Sequence, residues 1–204
     1  MNQITGIAIG IDVGTTSMKA HAFTLDGEIV GRASLRTPWN VLVNGQTEID
    51  IDVLADAAIH VMAESVPGSH SHGSVIGVGI TGMAETGVLV DSRHRPLMSA
   101  IAWFDERGKS ELQEMDLEFE ANFSAHTGLG FKAESSFSKL LWRKRLGADI
   151  PAGARWLNAL EYIAYRLTGT SITEPSLASR TGLLDQQTNN PWIPALDHIG
   201  ANAT

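Results

Sequence analysis

Cysteine is absent from the 204-residue chain, which removes disulfide frameworks, thiolate zinc sites and cysteine nucleophiles. That absence fits a reducing compartment. Basic runs are missing too: Lys and Arg total 15 against 23 Asp and Glu, a formal charge of −8. A broad nucleic-acid surface needs a basic stripe to displace counterions, so none is expected. No apolar run approaches the roughly 18 residues of a membrane span. The N-terminus has no basic region followed by a hydrophobic core and a small-residue cleavage site. These absences point to a cytoplasmic protein whose partners are small molecules, with neither nucleic acid nor membrane, acting alone or as a homodimer. Acidity leaves phosphate binding open, because backbone N–H groups, one lysine and a divalent cation can supply local positive potential.

What is present fits a soluble globular fold, with 43% apolar and 19% charged residues. Thr5 to Asp12 is an isoleucine-rich run bounded by glycine, the pattern of a strand buried on both faces. Ser17 to Leu25 alternates, Asp26-Gly27 is a two-residue hairpin signal, and Glu28 to Leu35 continues as a third β segment. An antiparallel meander is expected. Asp50 or Asp52 can cap a helix with its apolar stripe at Leu54, Ala57 or Ala58, Val61 and Met62. Val75 to Ile80 reads as a further buried strand, with short strands at Gly87 to Val90 and Ala100 to Trp103. Helical spacing follows at Leu112, Met115, Phe119 and Phe123, then at Phe137, Leu140 and Leu141, then at Leu157, Leu160, Ala164 and Leu167, before Gly169. A meander followed by strands crossed by helices predicts a mixed α/β sheet in one domain over residues 1–185. Residues 186–204 lose periodicity and read as a loosely ordered tail.

The chemistry concentrates in Gly10-Ile-Asp12-Val-Gly14-Thr15-Thr16-Ser17-Met-Lys19. A carboxylate ends a buried strand, and a glycine-led turn with three hydroxyls then leads to a lysine. Gly14 lets the backbone turn tightly and approach a bulky anion, and the Thr15 and Thr16 hydroxyls can donate to phosphate oxygens. Lys19 adds positive charge. Asp12 can hold Mg²⁺, directly or through water, because hard cations prefer oxygen ligands. The dinucleotide fingerprint and the P-loop both demand other glycine spacings and a following helix, and neither is present.

Asp-x-Gly-Thr-Thr-Ser-x-Lys resembles the first phosphate motif of the sugar kinase, actin and Hsp70 superfamily. Further stretches resemble the FGGY carbohydrate kinases, in family order over nearly the whole chain: Gly77 to Asp91, Ala100-Ile-Ala-Trp103-Phe-Asp105-Glu-Arg107, Ser138-Lys-Leu-Leu-Trp142, Tyr162 to Gly169, and Thr173 to Ser179. The resemblance implies an RNase-H-like, actin-like ATPase domain and ATP-dependent, Mg²⁺-assisted phosphorylation of a sugar, polyol or sugar-acid hydroxyl. By position, Asp12, Gly14, Thr15, Thr16 and Lys19 would serve phosphate and magnesium, while Ala84, Glu85, Trp103 and Asp105 would line the carbohydrate site. A carboxylate suits such a ligand because it accepts several hydroxyl donors in fixed geometry. Asp105 and Arg107 could equally form a local ion pair or helix cap ahead of Leu112.

The chain departs from the family at Ala84-Glu85, where glycerol kinases carry arginine before the acid and xylulose kinases carry Met-His. The substrate is therefore expected to differ from both. Nothing matches the family's general-base aspartate, its second phosphate motif or its adenosine segment, so no catalytic residue is assigned. A fragment or truncated product, inactive alone, is the expectation. A non-catalytic sugar- or nucleotide-binding module is the alternative. An actin-like or Hsp70-like ATPase would leave the Trp103–Arg107 and Lys139–Trp142 matches unexplained. His70-x-His72 could bind a metal but has no third ligand nearby, and the other histidines are scattered without partners. Trp142 and Trp156 read as packing residues.

Overall fold

A computed structural model describes residues 6–68 and 73–201. The His70/His72 pair lies outside them. Alternation folds as the pattern dictates: β1 (Gly6–Val13) and β2 (Ser17–Thr24) pair antiparallel, placing Ile9 opposite Ala22, Ile11 opposite Ala20 and Val13 opposite Met18 on one buried face. Asp26-Gly27 turns the chain into β3 (Ile29–Arg36). After β4 (Asn40–Val41) and β5 (Thr47–Ile49), Asp50 caps α1 (Ile51–Ser65), its carboxylate accepting from the Asp52 and Val53 amides at 2.9 and 3.4 Å. Leu54, Ala55, Ala58, Val61 and Met62 bury the helix against the sheet's apolar face. β6 (Ser74–Gly82) then returns parallel to β1, giving a mixed sheet in the order β3-β2-β1-β6.

Two strands that read as buried on both faces are not. β1 covers its isoleucines with α1 but leaves Asp12 exposed on the opposite face, beside the small residues Ala8 and Gly10. β6 hydrogen-bonds only to β1 among the described residues, and Val75, Ile76 and Val78 remain 43%, 56% and 42% exposed. Helical cover reaches the strand at Ile80, and its outer half is open.

A second sheet, β4-β5-β8-β7-β9, brings β7 (Gly87–Val90), β8 (Ala100–Ile101) and β9 (Arg155–Asn158) to the short strands around residue 45. The helices α2 (Lys109–Gln113), α3 (Leu117–Thr127) and α4 (Ser136–Arg145) build a separate core around Phe119, Phe123, Phe137 and Leu140. The apolar face read through Leu112 to Phe123 is split between α2 and α3, because Asp116 stops the first helix and caps the second by accepting from the Phe119 amide at 2.7 Å. α5 (Ala159–Thr168) ends at Gly169 and packs on α1, where Tyr162 and Arg166 donate to Asp52. α6 (Pro175–Ala178), β10 (Leu184–Asp185), β11 (Asn190–Pro191) and α7 (Ile193–Ile199) complete the order. Where the sequence suggests a loosely ordered tail, residues 186–201 form β11 and α7. Trp192, Ala195 and Ile199 are buried there against the aromatic core, and that burial compensates for a weak local pattern interrupted by prolines.

Candidate functional site

Three strand ends converge. The turn after β1 is closed by the Gly14 amide, which donates to the Ser17 carbonyl at 3.2 Å. A β-carbon on Gly14 would lie 2.8 Å from that carbonyl and close to both Asp12 carboxylate oxygens, so the turn has room for glycine alone. Asp12 stands opposite Lys19 on β2 and beside Thr81 on β6, placing all three on the open face of the sheet. The Asp12 and Lys19 side chains are exposed and make no hydrogen bond or ion pair with another described residue. Glycines 10, 77 and 79 keep that face low around them.

Residues beyond the motif fix the turn. The Thr37 hydroxyl donates to the Gly14 carbonyl and the Trp39 indole to the Thr15 carbonyl, both at 2.7 Å, and the Thr37 amide donates to the Thr16 carbonyl at 3.1 Å. The Trp103 indole N–H donates to the Thr15 hydroxyl at 3.0 Å. Because that hydroxyl acts as acceptor, its own proton stays available to a ligand. Phe104 packs edge-on between Trp39 and Trp103, so one aromatic group buttresses the turn.

At the end of β6, Gly82 has φ of +150° and a β-carbon there would overlap the Val13 backbone at 2.3 Å. The chain then turns through Met83, Ala84 and Glu85, the Met83 amide donating to Val13 at 3.0 Å and the Thr86 amide to Ala84 at 2.7 Å. Glu85 takes a left-handed φ of 60°, which side-chain-bearing residues seldom adopt. Its carboxylate is buried and accepts from Arg180 Nε at 2.6 Å. Thr15, Met83, Ala84, Glu85, Trp103 and Arg180, with Glu134, line a cavity of about 300 Å³. A neighbouring cavity of about 280 Å³ shares Glu85, Glu134 and Arg180 and adds Lys132.

Of the residues singled out in the sequence, Thr15, Ala84, Glu85 and Trp103 therefore meet around one space, with Asp12, Gly14, Thr16 and Lys19 on the adjoining hairpin. Asp105 lies apart. One of its oxygens accepts from the Thr47 amide at 2.6 Å and from Arg107 Nη2 at 3.0 Å, and the other from the Arg107 amide and Nε at 2.8 and 2.9 Å. Burial opposes ionisation of Asp105, yet these bonds outweigh it and hold the carboxyl below the usual carboxylate range. Arg107 continues to Glu48 at 2.7 Å and lies over Trp142, so both oxygens of Asp105 are spent on framing the turn that carries Trp103. Arg180, Glu134, Thr37 and Trp39 were not singled out. Arg180 meets Glu85 across 95 residues of sequence, which leaves no local pattern to read. Thr37-Pro-Trp39 does follow the meander directly, and a lone tryptophan there is the one available signal.

The chain belongs to the FGGY family of carbohydrate kinases: the model of that family's N-terminal domain matches residues 7–200. It is 26% identical over 192 residues to a xylulose kinase of Staphylococcus xylosus, covering 93% of this chain and 39% of the relative. Among solved structures, gluconate kinase from Lactobacillus acidophilus superposes with a TM-score of 0.86 at 25% identity, over 98% of this chain and 41% of that one. Plasmodium falciparum glycerol kinase with ADP gives 0.86 at 25% identity, over 96% and 41%. The fold is that of these kinases, an actin-like ATPase domain built on a mixed sheet. The chain spans about two-fifths of the length of the relatives it matches.

Proposed function

We propose that this domain supplies the phosphate-holding hairpin and the carbohydrate-facing wall of an ATP-dependent kinase that phosphorylates a hydroxyl of a sugar, polyol or sugar acid. One observation carries the reading. The Trp103–Thr15 bond joins the anion-ready hairpin to the Ala84–Glu85 cavity, so a phosphate on one side and a polyhydroxylated ligand on the other would meet at a single hydroxyl. Thr15 and Thr16 donate to phosphate oxygens, Lys19 offsets their charge, and Glu85 accepts ligand hydroxyls. Holding the reactants in line is the main contribution a protein makes to phosphoryl transfer. Trp103 gives a flat apolar wall for a sugar face, with Asp105 fixing the turn that carries it.

Mg²⁺ fits the donor set in a limited way. Among the described residues no group of three or more His, Asp or Glu could hold a metal ion. Asp12 and the Thr15 and Thr16 hydroxyls offer hard oxygens that suit a cation taking its remaining ligands from water and phosphate. Bound there, the ion would neutralise phosphate charge. We place the protein in the cytoplasm, as a cysteine-free kinase domain suits a reducing compartment. We give no cavity residue the general-base role and no described residue an adenosine-binding role. Both functions fall to polypeptide beyond this chain's match to its relatives. Calorimetry with gluconate, xylulose and glycerol, alongside ATP turnover assays with and without Mg²⁺, tests the reading. Carbohydrate binding without turnover is expected of the 204-residue chain, and turnover above background would show that it carries its own base.

A further inference from the structure

Glu85 combines three properties that do not arise together by chance packing: a left-handed backbone, a buried carboxylate, and a place in the wall of two adjoining cavities. Its side chain has one partner among the described residues. Arg180 approaches the same oxygen with two nitrogens, Nε at 2.6 Å and Nη2 at 2.5 Å, leaving the second carboxylate oxygen without a protein donor. That oxygen belongs to a side chain lining the cavity, where a ligand hydroxyl or water can donate to it.

Arg180 comes from a segment 95 residues further along the chain than Glu85. It follows α6, with its amide donating to Leu177 at 3.1 Å, and the next carbonyl, that of Thr181, accepts from the Phe137 amide at 2.8 Å at the start of α4. Thr181 is braced again by its hydroxyl, which donates to Ala178 at 2.7 Å. The Arg180 backbone is thus tied to the core containing Phe123 and Phe137, whereas Glu85 follows a strand of the core built on Ile9 and Ile11. Leu177 of α6 also packs on the core of Ile9 and Ile11, so the ion pair ties the segment after α6 to the turn after β6 beside the cavity.

We propose that Arg180 is a positioning residue: it holds Glu85 in its left-handed turn, occupies one carboxylate oxygen, and so presents the other to ligand hydroxyls in the cavity beside Thr15 and Trp103. This rests on the cavity being the carbohydrate site. Two N–H groups of a rigid guanidinium anchor that oxygen from two directions, and lysine, with its single ammonium, keeps the charge without that constraint.

The test compares the 204-residue chain with R180Q and R180K by hydrogen exchange of the 84–87 and 14–17 amides, and by calorimetry with gluconate, xylulose and glycerol. In R180Q the Thr86 amide is expected to exchange about tenfold faster, because the turn it closes is released. Affinity for whichever carbohydrate binds should fall roughly tenfold or more, while exchange of the 14–17 amides is kept, since the bonds that fix that turn come from Thr37, Trp39 and Trp103. R180K should lie between. Unchanged exchange at 84–87 in R180Q overturns the proposal, and so does an equal acceleration at 14–17, which would mark a general structural role. If the unaltered chain binds no carbohydrate, the reading of the cavity fails, and the exchange result alone decides whether Arg180 positions Glu85. Should R180Q not fold, E85Q, which removes the charge at constant shape, is expected to speed exchange of the same amides.

Discussion

Lys139 is fully buried on α4 and spends its ammonium on carbonyl oxygens: Ala133 at 2.5 Å, Arg107 at 3.4 Å, and Asp105. Burial pushes its pKa down from 10.5 to about 8, against the pull of Asp105. The sign follows from proton counting. Between about 8 and 10.5 the unfolded chain holds a proton at this position that the folded chain has released, so stability rises with pH across that window. Below about 8 both states are protonated and the burial penalty is felt in full. K139M should lose on the order of 2 kcal/mol at pH 7, because three inward carbonyls lose their donor. Chemical denaturation at pH 7 and pH 10 should show the gap between the unaltered protein and K139M widening with pH. A constant gap would mean that the lysine is not titrating there. This residue was readable as part of a helix, but its role was not, since two of the carbonyls it satisfies, those of Asp105 and Arg107, lie 34 and 32 residues away.

Among the elements, the β1–β2 hairpin is stiffened less by its own sequence than by the segment after β3 and the turn after β8. W103F keeps the ring beside Phe104 and removes the indole N–H, so it should cost about 1 kcal/mol or less in global stability. Exchange of the amides around Thr15 should accelerate more than that loss explains, with unchanged protection there counting against the buttress. The meander itself was legible because alternation, Asp26-Gly27 and Asp50 are all local signals, and each strand pairs with the next. Of the second sheet, β7 and β8 were legible as short strands, but their pairing was not, because the partners lie far apart in sequence, Glu48 with Ile101 and Gly87 with Asn158. Likewise Ala84, Glu85 and Trp103 could be placed in a site from motif order, whereas Arg180 depended on knowing which layers face each other.

Over the whole molecule, one core lies under the mixed sheet and another among the helices, and Met83 and Trp103 of the candidate cavity belong to the first. A mixed α/β architecture was readable from element order. The exposure of β6 was not, since a run such as Val75-Ile76-Gly77-Val78 looks alike whether covered or bare. That strand has a consequence for handling the protein in solution. Ser74 to Gly82 carries no charge and no proline, and its unpaired backbone groups form a row against which a like strand from another molecule can align. Despite a net charge of −8, which disperses molecules at long range, concentrated solutions should therefore scatter light and gel through this edge first. V78K, which sets a charge in the middle of the row, should raise the concentration at which scattering begins without changing the circular dichroism spectrum. If scattering begins at the same concentration in V78K, another surface sets the colloidal limit.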